Sequence, residues 1–132
     1  MKKKGIMEKS EQLLNEALEI LKFEYGKGEN HPDIAKSLND LGELHLLNGR
    51  LDESLKLLEE SLEMNRRVFR FQNGEHPDIA TTMHNIGLVM KKQGRNIDEI
   101  KEKYGKEALR MREKYLGKEH PLTIECAEEW GD

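Results

Sequence analysis

A single cysteine, Cys126, stands in 132 residues, which excludes an internal disulfide framework and fits a reducing compartment. Aromatic residues make up 5% of the chain, too few to interleave with its basic residues as a single-strand nucleic-acid platform requires. No apolar run approaches the roughly 18 residues of a membrane span. Glu8 and Lys9 interrupt the basic start Met1-Lys2-Lys3-Lys4 before a secretory signal can form. The expectation is a soluble, cytoplasmic protein with neither a membrane nor a nucleic-acid partner. Catalytic motifs are missing too: there is no Gly-x-Ser-x-Gly, no glycine-rich loop ending in Gly-Lys-Ser or Gly-Lys-Thr, and no histidine beside Cys126 in sequence. His31, His76 and His120 recur singly rather than in a cluster, so no metal site, cofactor or enzyme activity is expected.

What the chain has in quantity is charge, at 36% of residues, with a net value of -4. Lys and Arg stand 6 against 6 acids in residues 1–30, 6 against 9 in 31–75, 10 against 7 in 76–119 and none against 4 in 120–132. Such alternating blocks describe solvated helix faces and leave ends that can attract other surfaces.

The chain also repeats itself. His31-Pro32-Asp33-Ile34-Ala35 returns as His76-Pro77-Asp78-Ile79-Ala80, and His120-Pro121 opens a weaker copy. Behind the first two copies, Leu41-Gly42 is answered by Ile86-Gly87, Gly49-Arg50 by Gly94-Arg95, Asp52-Glu53 by Asp98-Glu99, and Ser61-Leu62 by Ala108-Leu109. Each unit reads as two helices. Ile34, Leu38, Leu41 and His45 recur at three- and four-residue steps, as do Leu55, Leu58 and Leu62. Proline suits the first helical turn, Gly49 suits a left-handed helix end, and Asp52 suits the cap of the second helix. Helices are therefore predicted near 32–48, 52–71, 77–93 and 97–116. Residues 8–25 match only the second helix of a unit and 121–130 only the first, after a disordered start at 1–7. The whole chain, 1–132, reads as one all-α solenoid domain: repeat 1 at 32–71 and repeat 2 at 77–116, flanked by half-repeats.

These paired helices, with small residues at Gly42, Gly87, Ser61 and Ala108, turn glycines at Gly49 and Gly94, and an Asp-Glu opening the second helix, resemble tetratricopeptide repeats. The 44- to 45-residue spacing and the His-Pro-Asp-Ile-Ala opening, followed by Ser37-Leu38-Asn39-Asp40-Leu41-Gly42, are similar to the kinesin-light-chain type. His-Pro-Asp also occurs in the loop of co-chaperone J-domains, but here it recurs in register and leads straight into a helix. The chain departs from the family at His45 and Met90, where Tyr is usual, and at Ser54 and Ser61, where Ala is typical. Asn96 and, within Lys101 to Lys106, Gly105 are extra residues. An extra residue rotates the following stripe by about 100 degrees, so a kink or bulge is expected there, in the least well packed helix.

The resemblance implies a non-catalytic interaction module that binds a peptide or protein in a concave groove lined by the first helix of each unit. Carried over, the groove positions are Lys36, Asn39, Asp40, Glu43, Leu46 and Leu47 in the first unit. In the second they are Thr81, His84, Asn85, Leu88, Lys91 and Lys92. Asn39 and Asn85 are read as holding a ligand backbone, and His84 and Lys91 as selecting acidic side chains. Two alternatives accompany this reading. Terminal half-repeats offering Leu14, Leu18, Leu21 and Trp130 could drive self-assembly, or the chain could be a fragment of a longer motor or signalling adaptor.

Overall fold

Each His-Pro pair opens a helix. In the computed structural model, which describes residues 2–26 and 28–132, the pairs start α2 (Pro32–Leu47), α4 (Pro77–Lys92) and α7 (Pro121–Trp130). The histidine is the N-cap, and its Nδ1 accepts from the backbone N–H two residues on, at 3.1, 3.0 and 3.1 Å for His31, His76 and His120. The His31 and His76 rings also stack on Tyr25 and Phe69, with centroids 3.7 and 3.9 Å apart. One side chain thus caps a helix and fixes its joint to the preceding unit.

The other elements are α1 (Lys2–Tyr25), α3 (Leu51–Val68), and a helix made of α5 (Ile97–Ile100), a π-helical turn (Lys101–Gly105) and α6 (Lys106–Leu116). The hairpins α2/α3 and α4/α5–α6 follow one another, with α1 packed on α2 and α7 packed on α6. The fold is the all-helical repeat array that the sequence implies.

Two local expectations are corrected and one is filled in. Residues 2–7, read as a disordered start, continue α1; Met1 lies outside the described residues. Asp52 does not cap α3, because the helix begins at Leu51 behind Arg50, which leaves Asp52 in the first turn, where a carboxylate still favours the helix dipole. The extra Asn96 takes the cap in the second unit, its Oδ1 accepting from the N–H of Asp98 and Glu99 at 2.9 and 3.1 Å.

The second inserted residue produces the π-helical turn, the bulge expected at Lys101–Gly105. That stretch is nevertheless well packed, since Ile100, Tyr104, Gly105, Ala108 and Met111 are buried. The bulge restores the stripe's register and turns Gly105 towards α7.

Two apolar clusters hold the array together. Leu18, Ile34, Leu38 and Leu41 join α1 to the first hairpin, while Leu46, Leu58, Ile79, Met83, Ile86, Met111, Cys126 and Trp130 belong to a larger cluster spanning α2 to α7. The serines that replace alanine add hydrogen bonds within the first hairpin: Ser54 Oγ donates to the Gly42 carbonyl at 2.5 Å and Ser61 Oγ to the Ala35 carbonyl at 2.6 Å. Gly42 is needed for close approach, because a Cβ there would lie 2.7 Å from Leu58 Cγ.

Candidate functional site

The first helices α2, α4 and α7 form one wall, and the predicted groove residues divide between its surface and its interior. Lys36, Glu43, Leu47, Lys91 and Lys92 are exposed; Asp40, Thr81 and Leu88 are half-buried. Asn39, Leu46, His84 and Asn85 are buried; Asn39 nevertheless lines the floor of a polar cleft, whereas both ring nitrogens of His84 are engaged within the chain.

The asparagines are bonded to one another. Asn39 Oδ1 accepts from Asn85 Nδ2 at 3.2 Å and from Thr82 Oγ1 at 3.1 Å. Ser61 Oγ lies 3.5 Å from Thr82 Oγ1. This polar seam ties α2 to α4 and extends to α3 through Ser61. The bond between them uses one half of each amide, the Asn39 carbonyl and the Asn85 NH2, and leaves Asn39 Nδ2 and Asn85 Oδ1 outside it.

His84 is also committed within the chain. Its Nδ1 accepts from Trp130 Nε1 at 2.9 Å, and its Nε2 lies 2.9 Å from Glu125 Oε1. These partners fix a neutral ring with the proton on Nε2, donating to Glu125. Burial, and then the Arg112 cation, hold its pKa below the ordinary histidine value of 6.5. Arg112 is itself buried, with Nη1 donating to the Leu122 carbonyl at 2.8 Å. Cys126 Sγ stands 3.6 Å from His84 Nδ1, a proximity that sequence spacing gave no sign of. Burial pushes the thiol pKa up, so it lacks the thiolate character a nucleophile needs, and the histidine nitrogen facing it already accepts from Trp130.

Stability is expected to fall in mild acid for this reason. The unfolded chain takes up a proton at His84 near 6.5, whereas the folded chain resists it until lower pH. The contribution is therefore complete above that value and is lost as pH falls below it. Urea midpoints at pH 7.5 and 5.5 check this: His84→Asn should show a smaller drop than the parent, and equal drops would remove His84 as the cause.

Lys91 forms an ion pair with Glu129 of α7 at 2.5 Å. His84 lies inside, while Lys91 stays exposed beside Glu129. Acids dominate the wall. Burial raises the Asp40 carboxyl, partly offset by Lys36; burial, then Asp40 and Glu125, raise that of Glu43. Among the described residues, no three His, Cys, Asp or Glu side chains stand together as metal ligands.

Two recesses mark the α2/α4 seam. A polar cleft of about 210 Å³ is lined by Lys36, Asp40, Glu43 and Thr81 above Asn39, Asn65 and Thr82, with Asp78 at its edge. Towards the helix C-termini, an apolar hollow of about 420 Å³ is lined by Leu46, Leu47, Leu88, Lys91, Lys92 and Glu129. Asn65 escaped the sequence reading, although it was visible as a polar residue continuing the Leu58–Leu62 stripe. Glu75 was missed as well. It accepts from Lys114 and Tyr115 at 2.8 and 3.1 Å and pairs with Arg110, and the hydrogen bonds from Lys114 and Arg110 lower its pKa to about 2. This anchors α6 to the turn before α4.

An array of stacked helical hairpins with a recessed inner wall is the architecture of a helical-repeat interaction module. Two family models described as tetratricopeptide repeat match residues 3–67 and 79–122. The chain belongs to the tetratricopeptide repeat family, whose repeats are protein–protein interaction modules. Among solved structures it is similar to BtubC (BKLC) from P. vanneervenii, a kinesin-light-chain-like repeat protein, at 25% identity and a TM-score of 0.71 over 95% of this chain. The match covers 46% of that protein, so this chain spans about half its length. No curated protein matches. No helix among the described residues is long and apolar enough to cross a membrane.

Proposed function

We propose that the chain is a non-catalytic module whose inner wall, along the α2/α4 seam, binds a segment of a partner protein. The observation that carries this reading is the pairing of a polar cleft with an apolar hollow on one seam. From Asp40 to Leu47 and from Thr81 to Leu88 is seven residues, a rise of about 10 Å along a helix. An extended segment covers that distance in about three residues. Affinity would come from burying an apolar side chain against Leu47 and Leu88, and orientation from the polar cleft.

Leu47→Ser with Leu88→Ser tests the hollow without touching the buried seam. Partner affinity should fall by about tenfold or more, as expected for losing a buried apolar contact of about 1.5–3 kcal/mol, while circular dichroism stays unchanged. Unaltered affinity with intact helicity would move binding off this wall.

One observation favours self-association as a second reading. Although Trp130 is covered by its own chain and Leu18 packs on α2, α1 still exposes Ile6, Leu13, Ile20 and Phe23. Residues 6, 13 and 20 are seven apart, the spacing of a helix-pairing stripe. Sedimentation at high micromolar concentration should show a dimer that Leu13→Ser with Phe23→Ser returns to monomer; a parent that is already monomeric would remove this reading.

A further inference from the structure

The polar cleft has more acceptors than donors. Asp40 and Glu43 project from α2 on one side, Asp78 stands at the α4 edge, and Lys36 is the one cation among the lining residues. The floor carries a second, independent mark. Asn65 is 2% exposed, and its Oδ1 has no hydrogen-bond partner, whereas the neighbouring Asn39 Oδ1 accepts twice. A buried acceptor left unpaired costs its desolvation without return, and a donor placed in the cleft would remove that cost. The same donor, if cationic, would offset the burial that raises the Asp40 carboxyl pKa and the burial and neighbouring Asp40 charge that raise that of Glu43. An arginine guanidinium presents several N–H donors in a plane and can serve two carboxylates and an amide oxygen together.

We infer that the polar cleft receives a cationic side chain, arginine or lysine, of the partner segment, held by Asp40, Glu43 and Asn65, with an apolar side chain about three residues away seated at Leu47 and Leu88. This rests on the groove reading above and reverses the charge preference that the sequence alone implied.

The test titrates the full ¹⁵N-labelled chain with capped Ala-Arg-Ala-Ala-Leu-Ala and its reversed sequence, each compared with versions carrying citrulline or glutamate in place of arginine. Citrulline keeps the shape and removes the charge. The arginine peptide should shift α2 and α4 amides and the Asn65 side-chain amide, and citrulline should weaken binding by about tenfold or more. Asp40→Asn with Glu43→Gln should abolish that preference, while Glu59→Gln with Glu60→Gln on the outer face of α3 should preserve it. Equal affinity for the arginine and citrulline peptides, or tighter binding of the glutamate peptide, with shifts still on α2 and α4, would overturn the cationic inference and leave the groove reading standing. Shifts confined to other helices, or none with any peptide, would overturn both.

Discussion

Replacing Trp130 with alanine is expected to destabilise the chain by about 3–5 kcal/mol, more than any change on the groove surface. Trp130 is 1% exposed, and its indole occupies the space that two glycines leave open. A Cβ at Gly87 would meet its Cζ2 at 2.7 Å, and one at Gly105 would meet its Cγ and Cδ2 at 2.8 Å. The same ring donates to His84 Nδ1, so truncation creates a cavity and also leaves a buried acceptor unpaired. For a chain of this length the loss corresponds to a melting shift of about 10–20 °C. Thermal melts followed at 222 nm measure it. A shift of only a few degrees would mean that α7 is not an integral part of the fold.

The second large effect is at Gly105, where sequence reasoning and structure disagree in sign. As an inserted glycine inside a helix, Gly105→Ala should be neutral or stabilising by up to about 1 kcal/mol. The π-helical turn instead brings its Cα under Trp130. An added Cβ would meet the Cβ, Cγ and Cδ2 of that side chain at 3.0 Å or less, the near end of the residue, which cannot move without moving α7. Overpacking of this kind costs about 1–3 kcal/mol. In the Trp130→Ala background the obstruction is gone, and the same substitution should become neutral or favourable. A double-mutant cycle of chemical denaturation measures the coupling. An equally harmful Gly105→Ala in both backgrounds would place the constraint in the glycine's backbone rather than in its contact with Trp130.

Both effects show where the sequence stopped being informative. The hairpins were legible because their determinants are local: a proline in the first turn, a glycine at the end, and apolar residues at helical spacing. The repeat doubled each of these signals. Even the bulge could be counted, as one residue too many between Asp98 and Ala108. What could not be read was which side chains meet across units. Trp130 at the end of α7 returns to His84, Gly87 and Gly105, and no periodicity encodes contacts between residues that distant in sequence. The groove shows the same division. Alignment placed Asn39 and Asn85 on the right helices, but whether an amide faces a ligand or an amide of the neighbouring repeat depends on the packing of α2 against α4. Asn65, a residue of the second helix, joins Asn39 on the cleft floor from behind, a placement that alignment of the first helices alone does not give.

The central claim is that the α2/α4 seam is the partner-binding surface. Selection of binders from a random peptide library displayed on phage, followed by isotope-edited nuclear Overhauser contacts between a selected peptide and the labelled full chain, tests it most directly. Contacts from the peptide to Asp40, Glu43, Leu47, Thr81 and Leu88 are the predicted result. Peptides that instead contact the outer helices α3 and α6, leaving those five residues untouched, would contradict it.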